Sequence, residues 1–191
     1  MKKTKEIIVD FRRNPTEISP LFINGSEVEI VDNFKFLGVQ ISNDLKWQIN
    51  IDQIVCKTQQ RLYFLRRLRS FRVSQELLVK FYRAVIESVL TFSFTVWYAS
   101  ATAEDRNRLN RIVCTASKIV GCELPSLISL YETRAVKKAK SILNDSGHPA
   151  SELFRLLPSG KRLRSLKVDS QRSLDSFYPT AIRLLNQLVF K

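Results

Sequence analysis

The sequence has little of what metal and redox sites are built from. Its 191 residues include three cysteines and one histidine. Cys56, Cys114 and Cys122 make no CxxC pair, and a structural zinc site takes four closely spaced Cys or His ligands. No metal or cofactor is expected, and the odd cysteine count suits buried free thiols in a reducing compartment. His148 stands in a loop-like Gly147-His148-Pro149, with no nucleophile beside it in sequence. There is no Gly-rich phosphate loop, no GxSxG and no HExxH. No Asp-Asp pair of the kind that holds two magnesium ions occurs. The longest uncharged run, Ser88 to Ala103, falls short of the ~20 residues of a spanning helix. The start, MKKTKEIIVDF, lacks an apolar stretch of signal-peptide length, so an intracellular protein of nucleus or cytoplasm is expected.

Acidic residues are also scarce. Asp and Glu total 18 against 31 Lys and Arg, a net charge of +13 with a pI of about 10.0. Such an excess favours a polyanion as partner, either nucleic acid or an anionic membrane surface. Hydrophobic residues make up 45% of the chain, enough for a packed core.

The cations concentrate in one stretch. From Lys57 to Ser93 the sequence reads as two helices joined by a turn at Phe71-Arg72-Val73. The first carries Lys57, Arg61, Arg66, Arg67, Arg69 and Arg72, with Leu62, Tyr63, Leu65 and Leu68 between them. The second is apolar over most of its surface, through Leu77, Leu78, Phe81, Tyr82, Val85, Ile86, Val89 and Leu90. A basic helix on an apolar one places positive charge on a firm platform, and Lys and Arg neutralise phosphates without reading sequence. Tyr63 beside Arg66 and Arg67 suits base stacking or packing.

The segments before this pair read as β structure. Ile7, Ile8 and Val9 suggest a strand over residues 5–11, broken at Asn14-Pro15. Asn24-Gly25 between apolar runs predicts a hairpin. Phe34 to Ile41, FKFLGVQI, predicts a third strand, with Gly38 as a bulge or close approach. After Trp47 the apolar period becomes helical. Ser74 is the expected N-cap of a helix reaching Trp97 and Tyr98. Thr102 with Asp105 opens the next helix, which ends at Gly121. Further helices are expected at about 126–143, 151–156 and 180–188. The expected class is α+β, mainly α: a small antiparallel sheet, then a helical bundle that buries Leu65, Phe81, Val85, Ile86, Trp97 and Ile112.

Several of these segments together resemble the C-terminal part of a non-LTR (LINE-class) retrotransposon reverse transcriptase. They are Lys3-Thr4-Lys5 with EIIVDF, the FKFLGVQI segment, Trp47, and the helix pair ending in YRAVIES. PSGKRLRSL and FYPTAIRLLN resemble the tail of such polyproteins from fish and amphibians. The resemblance implies a palm remnant at 1–47, a thumb-like bundle at 48–121 and a helical tail at 122–191. It places the catalytic aspartates upstream, so the chain is expected to catalyse nothing. It implies that Lys3, Phe36, Leu37 and Gly38 are remnants of a nucleotide and primer-end site. The thumb helices would follow an RNA–DNA hybrid or duplex backbone, with a palm-bearing reverse transcriptase chain as partner.

A more local likeness joins the QQRLYFLRRLR helix pair to the N-terminal segment of the vertebrate AlkB-homologue tRNA-modifying dioxygenase/methyltransferase. The chain lacks that enzyme's iron-binding His-x-Asp…His set and its methyl-donor loop. Three other readings stand beside nucleic-acid binding: a helical module docking on another protein, a membrane-surface binder, and an unfolded relic.

Overall fold

A computed structural model describes residues 4–14 and 18–188. The chain is α+β and mainly helical, with its short strands at the N-terminal end. It forms two compact units that divide after Ile54, within the first long helix.

Among the described residues the first unit holds three separate two-stranded pairs, one of them parallel, rather than one antiparallel sheet. β1, Lys5–Glu6, runs parallel to β4, Glu29–Ile30. β2, Phe22–Ile23, and β3, Ser26–Glu27, form a hairpin around Asn24-Gly25, whose φ values are 50° and 73°. Both turn residues are left-handed, the geometry that Asn-Gly supplies at low cost. β5, Asn33–Phe36, and β6, Val39–Ser42, form a second hairpin. The FLGV segment is therefore not a single strand, because Leu37 and Gly38 turn the chain with φ of 46° and 88°. The glycine that suggested a bulge is the second residue of this turn. Ile7, Ile8 and Val9 lie beyond the end of β1, since β4 offers only two partners.

Polar contacts fix the exit from β6. The Gln40 amide donates to Asn50 Oδ1 at 3.1 Å, and Ser42 Oγ donates to Asp44 at 2.6 Å. The Ser42 hydroxyl and the Lys46 amide hold the Asp44 carboxyl at about 2, below its ordinary 3.8.

Helix α1, Gln48–Ser70, leads from the first unit into the second. Then come α2, Gln75–Phe81, a π-helical turn at Tyr82–Glu87, and α3, Ser88–Leu90. The expected continuous helix thus loses its register at the π turn. It breaks at Thr91-Phe92-Ser93, with Ser93 at φ 49°. The chain resumes as α4, Phe94–Trp97, and a 3-10 turn, Tyr98–Ser100. Ser74 precedes α2, but its side chain makes no capping bond. Thr102 caps α5, Ala103–Val120, by accepting from the Asp105 amide, and Gly121 ends it at φ 81°.

Ser126 likewise caps α6, Leu127–Leu143. The helix expected at 151–156 is only a 3-10 turn, Ser151–Leu153. It is followed by a small arm bridged at Leu156 and Leu163. Asn186 completes that arm by bonding both the amide and the carbonyl of Leu163, at 2.8 and 3.0 Å. Helices α7, Gln171–Leu174, and α8, Phe177–Leu188, are the last of the described elements.

The second unit is centred on aromatic side chains. Phe94, Trp97, Tyr98 and Tyr131 are buried, and Phe94 and Tyr98, with ring centroids 4.2 Å apart, each also contact both Trp97 and Tyr131. Burial raises the pKa of Tyr82, Tyr98 and Tyr131, so these phenols stay protonated. A neighbouring cluster of Ala139, Ile142, Phe154, Leu163, Ile182 and Leu185 joins α6, the arm and α8. Of the side chains expected in the core, Leu65, Ile86, Trp97 and Ile112 are buried, whereas Phe81 and Val85 are half-buried.

Candidate nucleic-acid interface

The two faces of α1 follow from its residue spacing. Ile51, Ile54, Val55, Thr58, Leu62 and Leu65 are buried, at intervals of three and four that keep them on one side. The opposite side presents Cys56, Gln59, Gln60, Tyr63, Phe64, Arg66 and Arg67 to solvent. Lys57, Arg69 and Arg72 are exposed as well. No Asp or Glu occurs between Gln53 and Gln75. Lys57, Arg66, Arg67 and Arg69 therefore have no carboxylate at the i,i+3 or i,i+4 spacing that would neutralise them, and Glu76, four residues after Arg72, pairs with Lys80.

Aromatic rings stand among the charges. Tyr63 and Phe64 are each 56% exposed and Phe71 is 68% exposed. Tyr63 meets Phe64 edge-on with centroids 5.6 Å apart, and the Arg67 guanidinium lies 5.1 Å from the Phe71 centroid. Phe64 and Phe71 carried no expectation of exposure. A helical wheel places both on the side away from Leu62 and Leu65, and that was the available signal.

Arg61 occupies a different setting from its neighbours. It is half-buried, and its Nη1 donates to the Val85 carbonyl at 2.5 Å. Two other arginines act alike on the irregular segment from the π turn to the 3-10 turn. Arg106 Nη2 donates to the Ala99 carbonyl at 2.5 Å, and Arg134 Nη1 donates to the Thr91 carbonyl at 3.0 Å. Irregular backbone leaves carbonyls without regular partners, and a guanidinium satisfies them from a distance. These tertiary ties lie outside what local sequence pattern shows.

The remaining site residues are dispersed. Lys3 lies outside the described residues. Phe36, Leu37 and Gly38 sit at the end of the β5–β6 hairpin, where Leu37 is 80% exposed. Further exposed cations lie on α6, at Lys137, Lys138 and Lys140, and along the arm, at Lys161, Arg162, Arg164 and Lys167. The cysteines are not buried as expected: Cys56 and Cys114 are exposed and Cys122 is half-buried. Each lies off the apolar stripe of its segment. His148 Nδ1 accepts from the Ala150 amide at 3.1 Å and so helps shape its own turn. Among the described residues no helix is long and apolar enough to cross a membrane, and no group of three His, Cys, Asp or Glu is placed to hold a metal.

The fold and this surface define a basic, mainly helical α+β chain whose first long helix carries exposed cations on a stretch without acids. A family model described as "Alkylated DNA repair protein alkB homolog 8, N-terminal" matches residues 47–88. That span runs from Trp47 through α1, α2 and the π turn to Ser88. It supports the local AlkB-homologue likeness of the helix pair and gives no support to the reverse-transcriptase resemblance. No curated protein and no solved structure matches the chain.

Proposed function

We propose that the chain is a non-catalytic module that binds the backbone of nucleic acid through α1, as an AlkB-homologue N-terminal-like segment without that enzyme's catalytic domains. One observation carries this reading. Lys57, Arg66, Arg67, Arg69 and Arg72 are exposed on a stretch that holds no carboxylate. Cations without a neighbouring acid, on a helix and the turn that follows it, attract phosphates and displace the counterions condensed on them. The family matched over this helix is named for alkylated DNA, which agrees with a nucleic-acid partner. The reverse-transcriptase resemblance leads to the same contact, with α1 and α2 as thumb-like helices beside a palm on another chain.

The test is fluorescence anisotropy on the full chain from about 50 to 200 mM salt. Arg66→Gln, Arg67→Gln and Arg69→Gln together weaken binding alike on unrelated sequences. They flatten the log–log salt slope by up to about three units, at roughly 0.9 per lost phosphate contact on duplex. An unchanged slope and affinity would remove α1 as the contact and turn attention to α6 or the arm.

A further inference from the structure

We propose that the outer face of α1 takes single-stranded nucleic acid, with unpaired bases stacked on Tyr63, Phe64 and Phe71 between the phosphate-binding arginines. This rests on the reading of α1 as a backbone-binding helix and adds the form of the ligand.

The rings are what a backbone-only interface does not require. A duplex keeps its base faces stacked inside, so contact with its phosphates calls for cations and hydrogen-bond donors and not for exposed ring faces. A single strand offers π faces of any sequence, and aromatic side chains interleaved with cations receive them. The arrangement here has that alternation. Tyr63 and Phe64 form one ring pair, Arg66 and Arg67 follow, and Phe71 stands beyond with Arg67 against it. Phe71 is the first residue after α1, its amide still bonded to the Arg67 carbonyl at 3.1 Å, so it stands seven residues and roughly 10 Å along the axis from Phe64 at 1.5 Å per residue. The rings thus form two stacking stations separated by positive charge.

Charge decides between a strand and a protein partner. The core of a protein interface takes aromatics and Arg but is depleted of Lys, Asp and Glu, and burying an arginine there without a paired acid is costly. A protein seated on these rings would cover Arg66 and Arg67, and no acid of this stretch would compensate them. A polyanion pairs with those same groups as it stacks.

The experiment compares oligo(dT) with a blunt duplex on the full chain. Tyr63→Ala with Phe71→Ala weakens oligo(dT) binding by about tenfold or more, the scale of one or two lost base stacks. Duplex affinity stays within about twofold and the salt slope is unchanged, because no phosphate contact is removed. Tyr63→Trp with Phe71→Trp keeps oligo(dT) affinity, which separates stacking from a fold defect. Equal loss on both ligands, no loss on oligo(dT), or loss in the Trp variant would overturn the stacking assignment. The charge variant Arg66→Gln, Arg67→Gln and Arg69→Gln reports on the underlying reading by itself. If it alone leaves binding intact, the helix is not the backbone contact and both readings fall. If it weakens both ligands while the ring variant weakens neither, only stacking falls.

Discussion

Gly121 shows at the residue scale how a single backbone angle closes an element. It sits at φ 81° after α5, and its amide donates to the Ser117 carbonyl at 2.8 Å. Gln75 Nε2 reaches across to its carbonyl at 2.8 Å and to that of Val120 at 3.2 Å. A Cβ at this position would lie 3.5 Å from Gln75 Nε2, an ordinary contact. The cost of Gly121→Ala therefore comes from the left-handed backbone, about 1–2 kcal/mol. Urea unfolding should show the midpoint falling by that equivalent with m unchanged. Arg61 illustrates the opposite case, where identity in sequence misleads about role. It shares a helix with Arg66 and Arg67, yet its guanidinium is held by a carbonyl 24 residues away. Pattern on α1 cannot reveal a partner that another element brings in.

Individual elements differ in how openly the sequence announces them. Helix α5 was legible at both ends, because Thr102, Asp105 and Gly121 each act locally. The Asp105 amide donates to Thr102 Oγ1 at 3.1 Å, and Thr102 Oγ1 donates back to the Asp105 carboxylate at 2.7 Å. Thr102→Ala removes that cap and should lower stability by about 1 kcal/mol, read as a shift in the thermal or urea midpoint. The apolar stripe of α1 was equally plain, since Ile51, Ile54, Leu62 and Leu65 repeat at helical spacing. The exposed cations of the candidate site came with it, as the residues left over on the other side. The π turn was not legible, because YRAVIE carries no residue that distinguishes it from an α-helix. The β5–β6 hairpin was misread as one strand because Leu37 is an unusual left-handed residue. A leucine beside a glycine in an apolar run looks like strand until the turn is seen.

For the whole molecule, the expectation is binding without chemistry. The purified chain should extend no primer on RNA or DNA templates with magnesium or manganese, since phosphoryl transfer needs metal-holding carboxylates and the sequence holds no Asp-Asp pair. Radiolabelled primer extension checks this, and activity that is lost on changing residues of this chain would refute it. The net charge of +13 has a subtler meaning. Arg61, Arg106 and Arg134 are already committed to carbonyls of the segment between the π turn and the 3-10 turn. The formal charge therefore overstates how many phosphates the surface can neutralise. It also divides the arginines by what substitution they tolerate. At positions 66, 67 and 69 a lysine keeps the point charge that a phosphate needs. At 61, 106 and 134 a lysine keeps the charge and loses the planar fork. Sequence drift from arginine to lysine would thus pass unnoticed at Arg66 and Arg67 and accumulate as instability where Arg61, Arg106 and Arg134 hold carbonyls, though the net charge never changes.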